Sequence, residues 1–426
     1  MMLDRLVIRN FKQFEAVDID LGQAVVFVGS NNSGKTSALQ ALTLWELGIR
    51  RWIEKRSGKT PPKKRTGVTM NRRDLVALPV PETNLLWHDL HVRGVNRKEG
   101  KQKIENIRVE IEVHGVYEGK KWSNGLEFDY ANTESMYCRP LGWAAAGATA
   151  VDPIGKAAQS VRVAYLPPMS GLIANELRMD PGAIQVRLGE GRTAEVLRNL
   201  CHSLAEGEDG NSRWSLLQGK MHDLFGIILH RPDYISERGE LSMEYTDPRS
   251  IRLDLSAAGR GLQQTLLLLA FLLANPGYVL LLDEPDAHLE ILRQRQIYST
   301  LTDIARLSGS QIIAASHSEV ILNEAADRDV VVAFVGKPHR IDGRGSQVLK
   351  SLKSLGFDQY YLAEETGWIL YLEGATDLAI LQAFARILNH AATEHLARPF
   401  THYILNQPPK AHQHLQGLRQ ANPCFL

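Results

Sequence analysis

The chain has 426 residues, with 49 lysines and arginines against 48 aspartates and glutamates, for a formal net charge of +1. That length accommodates two or three domains with a substantial core, and the charge balance excludes a general pull toward nucleic acid or an anionic membrane, so any basic contact must be local. The cysteines, Cys138, Cys201 and Cys424, are widely separated with no CxxC spacing, which speaks against a disulfide framework or a zinc site. The N-terminus MMLDRLVIRNF carries charge where a signal peptide needs an apolar core, and the longest apolar run, Thr265–Ala274, is too short to span a bilayer. A soluble, cytoplasmic protein with no membrane partner is expected.

Residues 1–48 read as strand, turn, strand, glycine-rich loop and helix. LVIRNF and VDIDL alternate, Ala24–Val28 (AVVFV) is a continuous buried-strand run, and Ser37–Leu47 has helical spacing. Between them lies GSNNSGKT: Gly29, Ser30, Asn31, Asn32, Ser33, Gly34, Lys35 and Thr36, with Ser37 opening the helix. This is the P-loop pattern. Backbone N–H groups wrap a phosphate at the helix N-terminus, the lysine reaches the β/γ oxygens and the hydroxyl holds Mg²⁺.

From Arg50 to Arg73 ten basic residues face one acid, Glu54. Two readings stay open: a solvated loop, or a local contact to a phosphate backbone such as DNA. Trp52 is the sole aromatic there, so base stacking is not supported. Residues 85–135 alternate as half-solvated antiparallel strands do, notably in IRVEIEVHGVYEG and LEFDY. Ala144–Ala150 reads as a small-residue loop. Arg162–Leu166 (RVAYL) reads as a buried strand ended by Pro167 and Pro168. Thr193–Leu204 and Ser212–Leu224 are helical in spacing and suggest an inserted arm, whose amphipathic faces either pack internally or dimerise. Thr265–Ala274 is apolar all round, hence a buried helix, and Tyr278–Leu282, Gln311–Ala315 and Val330–Val335 continue a largely parallel, covered α/β sheet.

Three constellations in the second half carry chemistry. Asp283 and Glu284 end the strand before Pro285; an acid at the first position supports Mg²⁺, and one at the second orients or deprotonates an attacking water. Ser316, His317 and Ser318 follow the next strand at a carboxyl end, where His317 is placed to sense a terminal phosphate. Ser256, Gly259 and Gly261 bring free N–H groups to the start of the buried helix, a second anion-binding end. One nucleotide has one terminal phosphate, so the second cradle is most simply used by a nucleotide bound to another subunit.

In that order these motifs resemble the ABC-type ATPases of the SMC, RecF and OLD groups. The resemblance spans roughly residues 1–340 and implies ATP and Mg²⁺ as cofactors. It further implies a homodimer in which Lys35 and Thr36 of one subunit and Ser256 and Gly259 of the other sandwich each ATP. Asp283 and Thr36 would then serve Mg²⁺, Glu284 the water, and His317 a switch. The signature SAAGRGLQQ is closer to OLD-type ATPases than to transporters, and no clear Q-loop glutamine precedes the arm. OLD and PARIS defence ATPases share this layout, which implies an anti-phage or DNA-linked role with an effector nuclease partner. Near the C-terminus, Glu373, Gly374 and Asp377 form an ExGxxD pattern between a strand, Ile369–Leu372, and a helix, which resembles the opening of a Toprim domain. No DxD follows, so a truncated Toprim without nuclease activity is expected, the alternatives being an ATP-regulated nuclease of the OLD type or a non-hydrolysing scaffold clamped by ATP. The division expected is 1–166 for the first part of the ATPase head, 167–250 for the arm, 251–345 for the second part of the head and 346–426 for a linker and the Toprim-like segment.

Overall fold

A computed structural model describes residues 1–56, 67–75, 78, 80–98, 101–143, 154–206, 209–326, 328–334, 337–341, 367–397, 399, 401–404 and 407–421. Two six-stranded sheets dominate it. The first is antiparallel, in the order Phe14–Asp20, Met2–Phe11, Val109–Tyr117, Lys120–Asn132, Ser135–Pro140, Val68–Asn71. Val109–Tyr117 alternates buried and half-buried residues, the pattern of a sheet with one covered face.

The second sheet runs Val163–Leu166, Val279–Asp283, Gln311–Ser316, Ala24–Val28, Val330–Ala333 and His339–Arg340. Its first five strands are parallel and only the last pairing is antiparallel. Every residue of Ala24–Val28, Val279–Asp283 and Gln311–Ser316 is buried, as in sheets covered on both faces. Successive side chains divide between two cores by the period of two. Val279, Leu281, Ile313 and Ala315 join the antiparallel sheet and the helix Lys35–Arg56; Leu280, Leu282, Ile312 and Ala314 join the helices Leu197–Glu206, Gly210–Phe225 and Arg260–Ala274. Gln311 ties the sheets together: its Oε1 accepts from Leu3 N (2.9 Å), and its Nε2 donates to Leu3 O (2.7 Å) and Gly22 O (2.8 Å).

The α/β architecture with parallel and antiparallel sheets is as expected, but two local readings change. The helix after the glycine-rich loop continues to Arg56, so the first part of the Arg50–Arg73 segment is helix rather than loop. Ile49 and Trp52 are buried along it, and the arginines lie on its outer face: Arg50 pairs with Glu46 four residues back, and Arg51 with Glu54 (2.9 Å) and Asp74 (3.0 Å). Residues 57–66, with Lys59, Lys63, Lys64 and Arg65, lie outside the described residues, as do Ala144–Ala150, Val335 and Cys424. The apolar faces of the two arm helices pack internally, since Leu197, Leu200, Leu204, Trp214, Leu217 and Met221 share one core with the helix Arg260–Ala274. That helix is apolar on nearly all sides and needs cover on each of them.

In the C-terminal segment Leu370–Leu372 pairs in parallel with Thr401–Tyr403, and the helix Ala375–Ile387 lies between them in sequence. No described helix is long and apolar enough to cross a membrane.

Candidate functional site

The strand Ala24–Val28 runs straight into the glycine-rich loop. Gly34 takes φ +106°, and a Cβ there would lie 2.6 Å from the Phe14 ring and 2.3 Å from Gln13 Nε2, so both the backbone angle and the space require glycine. Asn32 adopts the left-handed region (φ +63°), which asparagine tolerates, and Ser33 N donates to Ser30 O (3.3 Å) to close the turn. Ser30, Asn31 and Asn32 are exposed. No acidic residue occupies the first turn of the helix beginning at Lys35, which leaves its positive end for an anion.

Lys35 is buried, and its ammonium folds back on the loop, donating to Gly29 O and Ser30 O, both at 2.8 Å. Burial pulls its pKa down to about 8, against the opposing pull of Asp283, Glu284 and Asp286. Thr36 Oγ1 donates to the Asp283 carboxylate, 2.9 Å from Oδ2 and 3.1 Å from Oδ1. The sheet order explains this meeting of residues 247 positions apart: Gln311–Ser316 lies between the loop strand and the acid-pair strand, and all three end on one edge. Burial raises the Asp283 carboxyl above its ordinary value, while the hydroxyls of Thr36 and Tyr165 work in the opposite direction.

Glu284 follows in the left-handed region (φ +51°), a conformation a non-glycine residue keeps only when its surroundings enforce it. Its N–H donates to Ala315 O (2.9 Å), which extends the sheet ladder by one bond while the side chain turns off the sheet edge. The carboxylate keeps 43% exposure and stands 3.6 Å from His317 Nε2. The acid pair and the histidine are therefore brought together, and Asp283 joins them to the P-loop. Ser316 is buried, and Ser318 caps the helix Glu319–Ala325 by accepting from Val320 N and Ile321 N.

The other cradle stands apart. Gly259 is the N-cap of the helix Arg260–Ala274, and a Cβ there would meet open space; Ser256 is exposed beside it. Gly261 packs toward the loop after the acid pair, where a Cβ would lie 3.3 Å from His288 O. Ser256 donates both its N–H (2.8 Å) and its hydroxyl (2.5 Å) to Asp254 Oδ1. Among the described residues no hydrogen bond joins Ser256, Gly259 or Gly261 to Gly29–Thr36.

Sequence reasoning missed two features. Tyr165, on the edge strand Val163–Leu166, donates its hydroxyl to Asp283 Oδ2 (3.1 Å); burial pushes its phenol well above the usual range, so it remains a neutral donor. The strand was legible, but which hydroxyl meets the carboxylate depends on sheet register. The second is a buried charge network under Ser256. Arg198 and Glu176 are 1% and 0% exposed; Glu176 accepts from Arg198 N, Asn199 N and Asn199 Nδ2, and Arg198 Nη2 reaches Asp254 Oδ1 (3.4 Å). Arg198→Ala leaves Glu176 buried without its cation and is expected to lower stability by about 3 kcal/mol, read as a lower urea midpoint at an unchanged slope. A midpoint within error of the parent would show that the backbone donors and Asn199 suffice to hold Glu176.

The C-terminal ExGxxD residues take local structural roles. Asp377 Oδ2 accepts from Glu373 N and Gly374 N, both at 3.0 Å, which caps the helix Ala375–Ile387, and Glu373 is exposed. Among the described residues no group of three or more metal-ligating side chains gathers.

Comparisons with known proteins fall on the same two halves of the site. Residues 1–45, with the glycine-rich loop, match the family described as "AAA ATPase domain". Residues 202–323, with the second cradle, the acid pair and His317, match "AAA domain, putative AbiEii toxin, Type IV TA system". No curated protein matches the chain. Similar solved structures include the SMC head domain from Thermotoga maritima, at 14% identity over 80% of this chain and 99% of that one, TM-score 0.42. An SmcHead bound to the C-winged helix domain of ScpA aligns at 14% identity over 79% and 97%, TM-score 0.45. An Smc head domain with an extended coiled coil, bound to the C-terminal domain of ScpA derived from Pyrococcus furiosus, aligns at 14% identity over 83% and 98%, TM-score 0.44. The two family matches, together with the P-loop geometry, support an ATP-binding P-loop ATPase of the AAA type.

Proposed function

We propose that the chain binds ATP with Mg²⁺ and hydrolyses it in a site completed by a second copy of itself. The observation that carries this reading is the bond between Thr36 and Asp283, with Glu284 next along the chain and His317 beside it. A hydroxyl and a carboxylate are hard oxygen donors suited to Mg²⁺, which would be held by Thr36 and, through its water shell, by Asp283. Magnesium supplies charge neutralisation on the phosphates. Lys35 binds phosphate oxygens, Glu284 takes a proton from the attacking water, and His317 orients that carboxylate. Ser256 and Gly259 stand exposed at the head of the helix Arg260–Ala274, and among the described residues they bond to nothing in their own subunit's Gly29–Thr36 loop, which supports their use by a partner's ATP.

Phosphate release and subunit mixing test both halves of the proposal. Lys35→Ala and Ser256→Arg chains are each expected to be inactive alone. Mixed in equal amounts, half the dimers pair unlike chains, and each such dimer keeps one intact site of two, so roughly a quarter of parental activity returns. No Mg²⁺-dependent phosphate release by the parent sinks the ATPase reading. Parental turnover by Ser256→Arg alone sinks the sandwich. We further read the chain as a component of an OLD-type, DNA-associated or anti-phage assembly with an effector nuclease partner and a Toprim-like C-terminal segment. This rests on the order of its motifs, and charge reversal of Lys63, Lys64 and Arg65 with salt-dependent DNA binding tests the nucleic-acid part.

A further inference from the structure

Asp283 receives two hydroxyls, not one. Thr36 Oγ1 and Tyr165 Oη both donate to Oδ2, at 2.9 Å and 3.1 Å, from opposite sides of the sheet edge: Thr36 from the first turn of the P-loop helix, Tyr165 from the outermost parallel strand. In the ATPase reading, on which this inference rests, Thr36 would ligate Mg²⁺ through an oxygen lone pair and keep its proton for Asp283, since a hydroxyl has one proton and two lone pairs. A carboxylate held by one donor can swing about that bond. Tyr165 supplies a second donor from the other side, and two fix its orientation.

We propose that Tyr165 is a positioning residue, which together with Thr36 holds Asp283 in the orientation that would support Mg²⁺. The placement suits that task. Tyr165 pairs in register with Leu281, two residues before Asp283, so the sheet ladder itself sets the distance from its backbone to the acid. Its ring packs against the core shared by the P-loop helix and the antiparallel sheet, which fixes the hydroxyl from below. The same ring borders a cavity of about 380 Å³, lined also by Glu46 and Thr43 of the P-loop helix and by Gln185 of the helix Pro181–Gly189. Removing the hydroxyl alone takes one donor from Asp283 and leaves the ring in its packing.

The experiment is Tyr165→Phe in the full chain, read by Mg²⁺ titration of fluorescent-ATP binding and of phosphate release, together with the melting temperature of the metal-free protein. Second-sphere partners of metal-supporting groups commonly change metal dependence by tenfold or more. The half-saturating Mg²⁺ concentration is expected to rise about tenfold in both titrations, with turnover at saturating Mg²⁺ within about twofold of the parent and the melting temperature unchanged. In an Asp283→Asn background, Tyr165→Phe should add nothing further, because the effect runs through that carboxylate. An unchanged Mg²⁺ dependence overturns the proposal, and so does an equal loss at every Mg²⁺ concentration, which marks a packing role. A parent that binds Mg²⁺ and ATP but releases no phosphate overturns the hydrolytic reading alone, since the binding titration still decides the role of Tyr165.

Discussion

Glu284→Gln is expected to stop ATP turnover while ATP binding and nucleotide-dependent association persist. The acid pair is chemically divided. Asp283 already accepts from Thr36 and Tyr165 and is buried, whereas Glu284 accepts no hydrogen bond from its strand neighbours and keeps 43% exposure at the mouth of the site. A proton acceptor needs a free lone pair in reach of water, and Glu284 is the one of the two that has it. Glutamine matches the carboxylate in size and leaves the strained φ of +51° and the bond from its N–H to Ala315 O in place, so the fold is not the variable. Loss of a positioned base lowers rates by ~10²–10⁴. The checks are single-turnover phosphate release beside equilibrium binding of ATP. Parental turnover by the variant would remove Glu284 from the chemistry and direct attention to His317, 3.6 Å away.

What could be read from sequence was local, and what could not depended on three-dimensional register. The glycine-rich loop is a short-range object: Gly34 at φ +106° and the helix that follows are dictated within eight residues, so letters and geometry agree. Asp283 and Glu284 were also legible, because an apolar strand ending in acids places them at a sheet edge whatever the strand order. Tyr165 was not, since its hydroxyl finds Asp283 only through the parallel pairing of Val163–Leu166 with Val279–Leu282. Arg50–Arg56 misled by composition: a run of cations looks like a solvated loop until Ile49 and Trp52 are seen to bury the other face of the same helix. The ExGxxD pattern shows a different limit. A carboxylate three residues into a helix serves equally as a metal ligand or as a cap, and Asp377 caps. The arm helices show a third kind of limit, because amphipathic faces state that something covers them without stating what. The cover is the helix Arg260–Ala274, whose own N-terminus carries the second cradle. The arm and the cradle are therefore mechanically joined, through that core and through Arg198 and Asp254.

Lys35→Ala should weaken ATP binding by one to two orders of magnitude, and the parent's own pH profile should reveal the same ammonium. Lys35 gives its donors to Gly29 O and Ser30 O of the glycine-rich loop. A triphosphate exchanges those carbonyls for anionic oxygens. Charge-assisted hydrogen bonds of this kind contribute about 1.5–3 kcal/mol each, which corresponds to roughly 10–150-fold in affinity. The sign of the pH effect follows from burial. The nucleotide-free pKa is held down at about 8, and bound phosphate raises it, so binding takes up a proton wherever Lys35 has already lost one. ATP affinity is therefore level below about pH 8 and falls by about tenfold for each pH unit above it, until the pKa of the bound form is reached. The same depression acts on folding with its own sign: the unfolded lysine holds its proton to about 10.5, so this group's penalty on stability is complete below about 8 and fades as pH rises from 8 to 10.5. Calorimetric titrations with a non-hydrolysable ATP analogue at pH 7 and 9 separate the cases. Lys35→Arg, charged throughout, should flatten the slope. An equally steep fall in Lys35→Ala would place the titrating group elsewhere.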